Sequence, residues 1–346
     1  MCTGIIILNY NNFEDTVQCI KSIEEHNSAP VKYIVVDNGS TDKEAVRHIS
    51  DFLTGIPNAA FVVNPSNDGY ARGNNKGLEF AFADDEIDDV LILNNDVLFT
   101  SDVLPALIEE RRTLPDPAIL TPLLRTPKGA IEYNCARVFP SNWTVILPFL
   151  LFKHDVLHIL TRSSRKQKML LSDPSLLQRR SFPVGMPSGS FLFIDKSIFR
   201  QLGGFDPGTF LYYEENILCK RIRDLKLHNY CVPCVSAVHL GGATTGSAPN
   251  LFLQKCNLES ADYYLREVGN MTFPQKAVWA LTRAAWRLKF ALKAGRWRPR
   301  TAAAICRPPR GGTPGGTGRP GFEGFPRPRL CRRPKWRRSW RREQAP

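Results

Sequence analysis

One stretch of the chain decides the fold: Val90-Leu91-Ile92-Leu93-Asn94-Asn95-Asp96-Val97-Leu98. Its apolar residues run directly into a polar triplet, a pattern that predicts a strand buried on both faces. In open α/β sheets ligands bind at the carboxyl ends of the strands, so polar side chains there are candidate ligand contacts. A carboxylate beside two amides suits a hard divalent cation, which makes Asp96 a candidate metal ligand. A plain turn built from Asn and Asp is the alternative interpretation.

Three further strands with polar endings precede this one. Apolar runs predict them at residues 4–8, 33–36 and 60–63. Helical spacing predicts helices after them at residues 13–26, 45–52 and, behind a glycine-containing loop at 67–75, 76–83. This alternation predicts a parallel sheet with right-handed crossovers, whose polar strand ends share one edge. Four side chains at that edge together predict a nucleotide site: Asn9, Asp37, Arg72 and Asp96. Taken singly, each of them would also serve as a helix cap or a turn residue.

A second acidic site is predicted later in the chain, where Glu214 and Glu215 follow two tyrosines and open a helix. Shielding by Tyr212 and Tyr213 would raise a carboxyl pKa toward the range that a general base needs. Alternatively, the glutamates only stabilise the helix N-terminus through its dipole. His239 lies between a predicted strand and two glycines, where a metal or a phosphate could approach, although lone histidines are more often structural.

Outside these motifs, two stretches leave alternatives open. Four prolines between residues 115 and 127 predict irregular chain. The apolar residues 143–160, followed by basic residues at 162–168, predict either a helix on an anionic membrane or a core helix. Helices are also predicted at 258–268 and 275–293. The second of these mixes Trp with basic residues, which fits either an interfacial helix or a helix packed on the domain.

Charge and cysteine content narrow the class of protein. The net charge of the 346 residues is +13, and residues 296–346 carry all of it, with fifteen Lys and Arg against two acids. Dispersed cysteines indicate a reducing compartment, and we expect both cysteines of the C-x-x-C pair, Cys231 and Cys234, to be buried rather than zinc-binding. A strand that begins near Gly4 leaves no room for a signal peptide, and no apolar run is long enough to span a membrane. Without G-x-G-x-x-G or a P-loop lysine motif, neither a classical dinucleotide fold nor an NTPase is predicted.

The end of the sequence differs in composition from the rest. From residue 301 onward it consists largely of Arg, Pro and Gly with almost no aliphatic side chains, so we expect a disordered basic tail. One interpretation is an arm for nucleic acid or anionic lipid. The other, which the abrupt change favours, is an out-of-frame translation of a GC-rich gene. We therefore expect no specific nucleic-acid partner.

The order of the motifs resembles glycosyltransferase family 2, and most of all its bacterial rhamnosyltransferase-like members. The resemblance extends from about Thr3 to Gly246. The stretches that carry it are Ile7-Leu8-Asn9-Tyr10-Asn11, Val36-Asp37-Asn38-Gly39-Ser40-Thr41-Asp42, Asn67-Asp68-Gly69-Tyr70-Ala71-Arg72-Gly73-Asn74-Asn75, Leu93-Asn94-Asn95-Asp96-Val97, Gly203-Gly204-Phe205-Asp206, Phe210-Leu211-Tyr212-Tyr213-Glu214-Glu215 and His239. The resemblance implies an α/β fold of the GT-A type and an inverting transfer from a nucleoside-diphosphate sugar, assisted by Mg²⁺ or Mn²⁺.

The resemblance also implies a role for each matching residue. The nucleotide-sugar-binding residues would be Asn9, Asp37, Asn67, Arg72, Asn75 and Asn95. Asp96 would be the last acid of a D-x-D type motif and would bind the metal, with His239 beside it. Glu215, next to Glu214, would be the catalytic base. The acceptor site would be lined by Gly189, Asp206 and Tyr213.

Two departures from the family pattern bear on activity: Asn94 replaces the first acid of D-x-D, and Glu215 replaces an Asp. A catalytically weak or inactive sugar-nucleotide-binding protein is therefore the alternative to an active transferase. By resemblance the donor would be dTDP-rhamnose and the acceptor a saccharide or a polyprenyl-linked glycan of the cell surface. The protein would be cytoplasmic, with peripheral contact to the inner face of the membrane as a further option.

The same expectations divide the chain into segments. Residues 1–246 would form the GT-A domain, with a nucleotide-sugar half at 1–125 and an acceptor half at 126–246. Residues 247–295 would form a helical segment, membrane-apposed if the interfacial interpretation is right. Residues 296–346 would form the tail.

Overall fold

The structure, a computed structural model, describes residues 1–151, 171, 173–241 and 250–294. All of these residues belong to one unit, Met1–Ile305. The predicted basic cluster at 162–168, the predicted domain boundary at 246 and the predicted tail lie outside the described residues.

Eleven strands occur in the described residues. They are β1 (Cys2–Asn9), β2 (Val31–Asp37), β3 (Ala59–Val63), β4 (Ile87–Asn94), β5 (Val97–Phe99), β6 (Pro117–Arg125), β7 (Ala136–Arg137), β8 (Phe182–Val184), β9 (Met186–Pro187), β10 (Phe191–Asp195) and β11 (His228–His239). Helices α1 to α10 span Phe13–His26, Lys43–Thr54, Gly69–Ala83, Val103–Thr113, Asn142–Leu150, Pro174–Leu177, Lys196–Leu202, Glu214–Asp224, Asn250–Tyr263 and Phe273–Ala294.

Nine of the described strands form one mixed sheet. Its order is β3-β2-β1-β4-β10-β6-β11-β5, with β8 also paired to β11. The first four strands of this order are parallel, as the alternation of strands and helices predicts. β10 then inserts antiparallel between β4 and β6, and β6 is parallel to β11. The short β7 and β9 form a separate antiparallel ladder.

Helices cover both faces of this sheet because successive side chains of its strands alternate between them. Ile5 and Ile7 of β1 lie in one core cluster, together with buried residues of α1, α2 and α4. Ile6 lies in the other cluster, together with residues of α3, α7 and α8. The stretch Val90-Leu91-Ile92-Leu93 supplies both clusters and is at most 1% exposed, as predicted for a strand buried on both faces.

The prediction of irregular chain between residues 115 and 127 is wrong. β6 occupies this region, and residues 118–124 are buried. Pro122 has no N–H to donate, and the pairing register of the neighbouring β11 shifts beside it. Val232 pairs with Pro122 and Ser236 pairs with Leu123, so residues 233–235 form a bulge in β11. Cys234 lies in this bulge and is exposed, whereas Cys231 is buried. The expectation that both cysteines are buried is therefore correct for Cys231 only.

The start of α3 also differs from the prediction, because the helix begins at Gly69 rather than near Lys76. Gly69 has a φ of +81°, and a Cβ there would lie 2.1 Å from the Phe210 carbonyl oxygen. Only glycine allows this close approach, through which the Tyr70 N–H donates to the same oxygen at 2.9 Å. The stretch expected to be a loop therefore forms the first turns of a helix.

A third core cluster joins the C-terminal helices to the rest of the unit. It contains Phe149 of α5, Ile217 of α8, and Trp279 and Trp286 of α10. Both indoles are only 2% exposed, so for these two side chains the interpretation of a packed helix is correct. Among the described residues, no helix is both long and apolar enough to cross a bilayer.

Candidate active site

Asp96 and His239 meet because of one strand pairing. β4 ends at Asn94, and the chain turns at Asn95-Asp96 before β5 begins. β5 pairs with β11 so that Val97 lies opposite His239. This register places Asp96 Oδ1 3.3 Å from His239 Nε2. The predicted metal ligands are thus brought together at the end of the central strand.

His239 lies between two carboxylates. Its Nδ1 is 2.9 Å from Glu132 Oε2, and its Nε2 faces Asp96. Burial lowers the pKa of His239, but the hydrogen bonds and charges of Asp96 and Glu132 outweigh burial and raise the pKa to about 9. In this structure His239 is therefore an imidazolium at neutral pH that compensates the nearby negative charge.

This donor set fits a divalent cation that takes most of its ligands from elsewhere. Asp96 offers a carboxylate, and His239 would offer Nε2 once an arriving cation displaces its proton. Glu132 fixes the orientation of the ring from the other nitrogen, as carboxylates commonly do behind ligating histidines. Within the described ranges, no group of three or more His, Cys, Asp or Glu side chains is arranged to hold a metal ion. Mg²⁺ is typically held by one or two protein ligands, with phosphate oxygens and water completing its shell.

Three of the predicted donor-binding residues form a buried polar network. Asn9, Asp37 and Asn95 are each at most 3% exposed. Asn9 Nδ2 donates to Asp37 Oδ1 at 2.9 Å, and Asn9 Oδ1 accepts from the Thr16 hydroxyl at 2.9 Å. Asn95 Nδ2 donates to the same hydroxyl at 3.1 Å. Ser40 donates to both carboxylate oxygens of Asp37.

These bonds tie together the loops that follow β1, β2 and β4. A contact between Asp37 and a base or ribose stays a prediction, and it would require a bond of the network to be exchanged for one with the ligand. The geometry gives these side chains a role in positioning the strand ends.

Two other predicted donor residues lie at the start of α3. Asn67 Oδ1 accepts from the Gly69 N–H at 2.9 Å and from Asn38 Nδ2 at 3.1 Å, which closes the turn before the helix. Arg72 is exposed, and its Nε donates to the Pro207 carbonyl at 2.9 Å. The Arg72 side chain also lines a cavity of about 160 Å³. The guanidinium charge of Arg72 is therefore accessible. Among the described residues, Arg72 contacts the loop at residue 207, and no contact with Asp96 is present.

Asn75 is engaged with the chain itself. Its Oδ1 accepts from the Phe205 N–H at 2.9 Å, and its Nδ2 donates to the Phe205 carbonyl at 2.8 Å. Both polar atoms fasten α3 to the loop after α7. A contact between Asn75 and a nucleotide sugar stays a prediction and would compete with these bonds.

Glu215, the predicted base, faces the loop before β10. Its Oε1 accepts from the Gly189 N–H at 3.0 Å and lies 3.6 Å from Arg137 Nη2. The Tyr70 hydroxyl donates to the Gly189 carbonyl at 2.6 Å, so both backbone groups of Gly189 are held. A Cβ at residue 189 would lie 2.8 Å from Glu215 Oε1. Among the described residues both contacts of Glu215 fall on Oε1, which leaves Oε2 for an incoming hydroxyl.

Ser190 connects the two acidic sites. Its hydroxyl lies 3.5 Å from His239 Nε2, and the residue before it, Gly189, binds Glu215. One dipeptide therefore touches the predicted base with its first residue and the Asp96–His239 pair with its second. The structure thus brings the predicted metal ligands and the predicted base to the same end of β10.

Glu214 is adjacent to Glu215 but has different surroundings. It is 4% exposed, and within the described ranges its Oε1 has no hydrogen-bond partner. Burial, and after it the charge of Glu215, raises the pKa of Glu214 to about 8. Glu214 is therefore mostly protonated at neutral pH, and its burial favours Glu215 as the carboxylate that meets a substrate.

The two tyrosines before α8 adopt an uncommon backbone conformation. Tyr212 and Tyr213 have φ values of 75° and 70°, in the left-handed region that side chains other than glycine rarely occupy. The ring of Tyr213 stacks on that of Tyr264 at 5.7 Å between centroids. Such strain persists where the surrounding packing fixes it, and here it sets the direction of the turn that carries both glutamates.

Asp206, predicted to line the acceptor site, has three partners among the residues that the structure describes. Its Oδ1 accepts from the Tyr263 hydroxyl at 2.8 Å and from the Gly208 N–H at 2.9 Å. Its Oδ2 pairs with Arg221. A contact between Asp206 and an acceptor stays a prediction and would compete with these bonds.

Three residues near the site carry no sequence signal: Glu132, Arg137 and Ser190. Glu132 and Arg137 lie in a segment without hydrophobic periodicity, and long-range strand pairing alone brings them to His239 and Glu215. The Nε of Arg137 is buried without a hydrogen-bond partner in the described part of the chain. Tyr70 stands inside the motif at 67–75, so the motif itself was the available signal for it.

Comparison with known proteins identifies the family of this chain. A family model described as glycosyl transferase family 2 matches residues 4–203, which is more than half of the chain. By class, then, the protein is a glycosyltransferase. The chain belongs to glycosyl transferase family 2.

Relatives and a solved structure give the same class. The chain is 27% identical to an N-acetylglucosaminyl-diphospho-decaprenol L-rhamnosyltransferase of Mycobacterium tuberculosis over 252 residues, 71% of this chain and 78% of the relative. It is 25% identical to the low-salt glycan biosynthesis hexosyltransferase Agl10 of Haloferax volcanii over 242 residues, 68% of this chain and 66% of the relative. The fold is similar to the crystal structure of GalNAc-T7 with UDP, GalNAc and Mn²⁺, with a TM-score of 0.54 at 13% identity. That similarity covers 77% of this chain and 48% of the other.

These comparisons confirm the family, the enzyme class and the GT-A type of fold that the sequence motifs imply. The sugar, the acceptor, the metal and the base stay predictions.

Proposed function

We infer that this glycosyltransferase moves a sugar, with rhamnose from dTDP-rhamnose as the specific candidate, to a saccharide or polyprenyl-linked acceptor with inversion at the anomeric carbon. The observation that carries this proposal is the dipeptide Gly189-Ser190, which contacts Glu215 on one side and the His239–Asp96 pair on the other. One carboxylate for an acceptor and one for a diphosphate are the two charged groups that such a transfer needs.

The reaction is a single displacement. Glu215 Oε2 accepts the proton of an acceptor hydroxyl as its oxygen forms a bond to the anomeric carbon. On the opposite face the bond from that carbon to the diphosphate oxygen breaks, and the nucleoside diphosphate leaves with the bonding electron pair. Because the displacement has one step, one base suffices, and no second catalytic carboxylate is required.

Asp96 and His239 would hold Mg²⁺ or Mn²⁺ at this site. When bound, the cation would neutralise the charge that develops on the leaving diphosphate. Glu132 orients His239, and the network of Asn9, Thr16 and Asn95 fixes the turn that carries Asp96.

The Glu215→Gln variant tests the assignment of the base. The amide keeps the size of the side chain but cannot take the proton, so we expect kcat to fall by about 10²- to 10⁴-fold. Binding of the nucleotide sugar should be unchanged, since Glu215 lies on the acceptor side. Transfer from dTDP-rhamnose with Mn²⁺ and calorimetric titration of the nucleotide measure the two quantities.

Asp224→Asn is the matched control, because it removes a carboxylate at the other end of the same helix, where Asp224 pairs with Lys220 on the surface. This control should keep both activity and binding. An equal loss of binding and transfer in Glu215→Gln would show that Glu215 is structural rather than catalytic.

A second candidate function is a sugar-nucleotide-binding protein with little or no turnover. Asn94 favours it, because this amide stands where the motif has a carboxylate and its Nδ2 contacts the Ser190 hydroxyl at 3.4 Å. Tight nucleotide-sugar binding by the purified protein, with neither transfer nor donor hydrolysis in the presence of Mn²⁺, would establish this candidate in place of the transferase.

For the cellular setting we propose a role in cell-surface polysaccharide assembly, in the cytoplasm or at the inner face of the membrane. A polyprenyl-linked acceptor would require the site to lie close to a lipid surface. Assay of a water-soluble acceptor against a vesicle-embedded acceptor distinguishes the two acceptor classes.

A further inference from the structure

The last described helix, α10, has two chemically different faces. One face packs on α5: the Phe149 ring contacts the Trp279 and Trp286 rings at 5.4 and 6.0 Å, and Trp286 Nε1 donates to the Phe149 carbonyl at 2.8 Å. Trp279 Nε1 donates to Asp262 of α9 at 2.9 Å. The indoles therefore serve the core, and they do not account for the other face.

The opposite face of α10 is apolar and exposed. Leu281, Leu288 and Leu292 are 73%, 62% and 69% exposed. Their spacing of seven and four residues places them on one side of a helix. Exposed alanines occupy neighbouring positions of this side, at 277, 280, 284 and 291. We call these seven residues the outer apolar face; the helix of 22 residues that carries it is about 33 Å long.

The charge on α10 has a single sign. The helix contains five basic residues and no acid: Lys276, Arg283, Arg287, Lys289 and Lys293. Lys276 and Arg287 are exposed, and their separation of eleven residues places them in one row along the border of the outer apolar face. The surface thus combines apolar side chains with a positive border, which complements an anionic lipid surface.

The helix next to α10 exposes further apolar side chains. Leu147 and Leu150 of α5, and Leu151 directly after it, are 37%, 40% and 48% exposed. Single exposed apolar residues scattered over the surface are normal in a soluble protein, but leucines exposed on two packed helices form a larger apolar surface than that.

We propose that the outer apolar face of α10 docks this protein on an anionic bilayer, with the helix lying in the plane of the lipid surface. A face made only of Leu and Ala offers no polar group for specific pairing with another protein, whereas burial of its leucines in the acyl boundary removes apolar surface from water, which is favourable. The basic border would add electrostatic attraction to anionic headgroups.

Helix α8, which carries the candidate base, shares a core cluster with α10, which carries the outer apolar face. Ile217 of α8 lies in the same core cluster as Trp279 and Trp286, and Glu215 stands in the first turn of α8. One helix therefore connects the candidate base to the docking layer. In this respect the inference rests on the proposed function, because it favours an acceptor whose carrier is embedded in the bilayer.

Vesicle flotation of the full chain tests the inference without reference to activity. Wild-type protein should float with vesicles of phosphatidylcholine and phosphatidylglycerol, and less with phosphatidylcholine alone. The Leu281→Gln, Leu288→Gln, Leu292→Gln triple variant should partition at least about tenfold less. The Lys276→Gln, Arg287→Gln variant should lose only the preference for the anionic lipid.

A matched triple variant controls for the loss of exposed apolar surface: Val63→Gln, Phe80→Gln and Leu225→Gln, at residues that are 53%, 48% and 40% exposed and lie on other elements. It should float like wild type. Circular dichroism checks that each variant is folded. We expect all of them to fold, because the substituted side chains are exposed.

Three outcomes would overturn the inference. Flotation of the leucine variant at the wild-type level, sensitive to salt alone, would assign lipid contact to the basic residues 296–346. A wild-type dimer that the leucine substitutions convert to a monomer, with no flotation, would show that a second copy covers the face. If the enzyme is active on a water-soluble acceptor but does not float, membrane docking is rejected and the proposed function stands. If the protein floats but is inactive, the proposed function is rejected and membrane docking stands.

Discussion

Glu214 and Glu215 are consecutive in the sequence, yet each has its own surroundings in the first turn of α8. Glu215 reaches Gly189 and Arg137, whereas Glu214 is buried and its Oε1 has no partner among the described residues. A helix turns by 100° per residue, so neighbours face different sides, and one carboxyl lies inside while the other lies at the cleft. The sequence shows two acids; only the helix position separates their roles.

The burial of Glu214 predicts a pH dependence of stability. Its pKa rises from 4.5 to about 8 on folding, so between these values the folded state binds a proton that the unfolded state releases. The free energy of unfolding should therefore decrease as pH rises through this window, by up to about 1.4 kcal/mol per pH unit. Glu214→Gln should remove this slope. The stability of the variant relative to wild type should therefore be higher at pH 9 than at pH 5.

Urea unfolding at a series of pH values measures this difference. Glu79→Gln, at an exposed position of α3 where Glu79 pairs with Lys76, controls for the loss of one carboxyl group. Profiles for Glu214→Gln and wild type that run parallel from pH 5 to pH 9 would contradict the assignment of a protonated, buried Glu214.

At the scale of elements, the Asn75 side chain is one of several connections between α3 and the second half of the chain. Asn75 makes two hydrogen bonds to the backbone of Phe205, which is 130 residues away. Asn75→Ala leaves both backbone groups without their partners, at a cost of about 1–3 kcal/mol for each buried group. We expect a clear fall in the melting temperature with no change in nucleotide specificity.

Thermal unfolding followed by calorimetry measures this effect. Gln201→Ala, which removes an exposed amide from α7, should change stability by less than about 0.5 kcal/mol. A neutral Asn75→Ala variant with weaker nucleotide binding would assign Asn75 to the donor site, as the sequence motif implies.

The elements show which signals of the sequence were sufficient. Strands β1 to β4 and helices α1 and α2 lie close to their predicted positions because their burial pattern is local. β6 was missed because prolines normally end a strand, and here the bulge in β11 compensates for Pro122. The start of α3 was missed because a glycine-rich stretch favours a loop, whereas the close approach of Phe210 to Gly69 makes glycine necessary within a helix.

The candidate site also contains some residues that local sequence motifs predict and others that they do not. Asp96, His239 and Glu215 follow from motifs, and the structure brings them to one end of β10. Their partners Glu132, Arg137 and Ser190 depend on pairings between distant segments, such as Val97 opposite His239, which no local pattern encodes. For Asn9, Asp37 and Asn95, a position at a strand end does not distinguish a ligand contact from a bond to the neighbouring loop, and the ligand contact of each stays a prediction.

At the scale of the molecule, ligands of the folded state should stabilise the whole unit. A nucleotide sugar at one hundred times its dissociation constant adds about 2.7 kcal/mol to the free energy of unfolding. We expect dTDP-rhamnose to raise the melting temperature, and we expect a further increase when Mn²⁺ is added together with dTDP-rhamnose. In Asp96→Asn the Mn²⁺-dependent part should be lost, while the increase with the nucleotide alone persists.

A panel of nucleotide sugars, each with and without Mn²⁺, measures these increments by thermal shift. Asp88→Asn is the control, since Asp88 lies at the far end of β4 and pairs with the N-terminus. An equal Mn²⁺ increment in Asp96→Asn and wild type would place the cation elsewhere, and a larger response to another base or sugar would replace dTDP-rhamnose as the donor.

The insertion of β10 beside β4 has a consequence for how the chain reaches this state on the ribosome. β4 ends at Asn94, but the strand that covers its open side does not begin until Phe191. While the intervening segment is being translated, the unpaired backbone of an apolar strand stays available to other chains. A slow passage through this interval would expose the nascent protein to chaperones, or to aggregation, long before its active site exists.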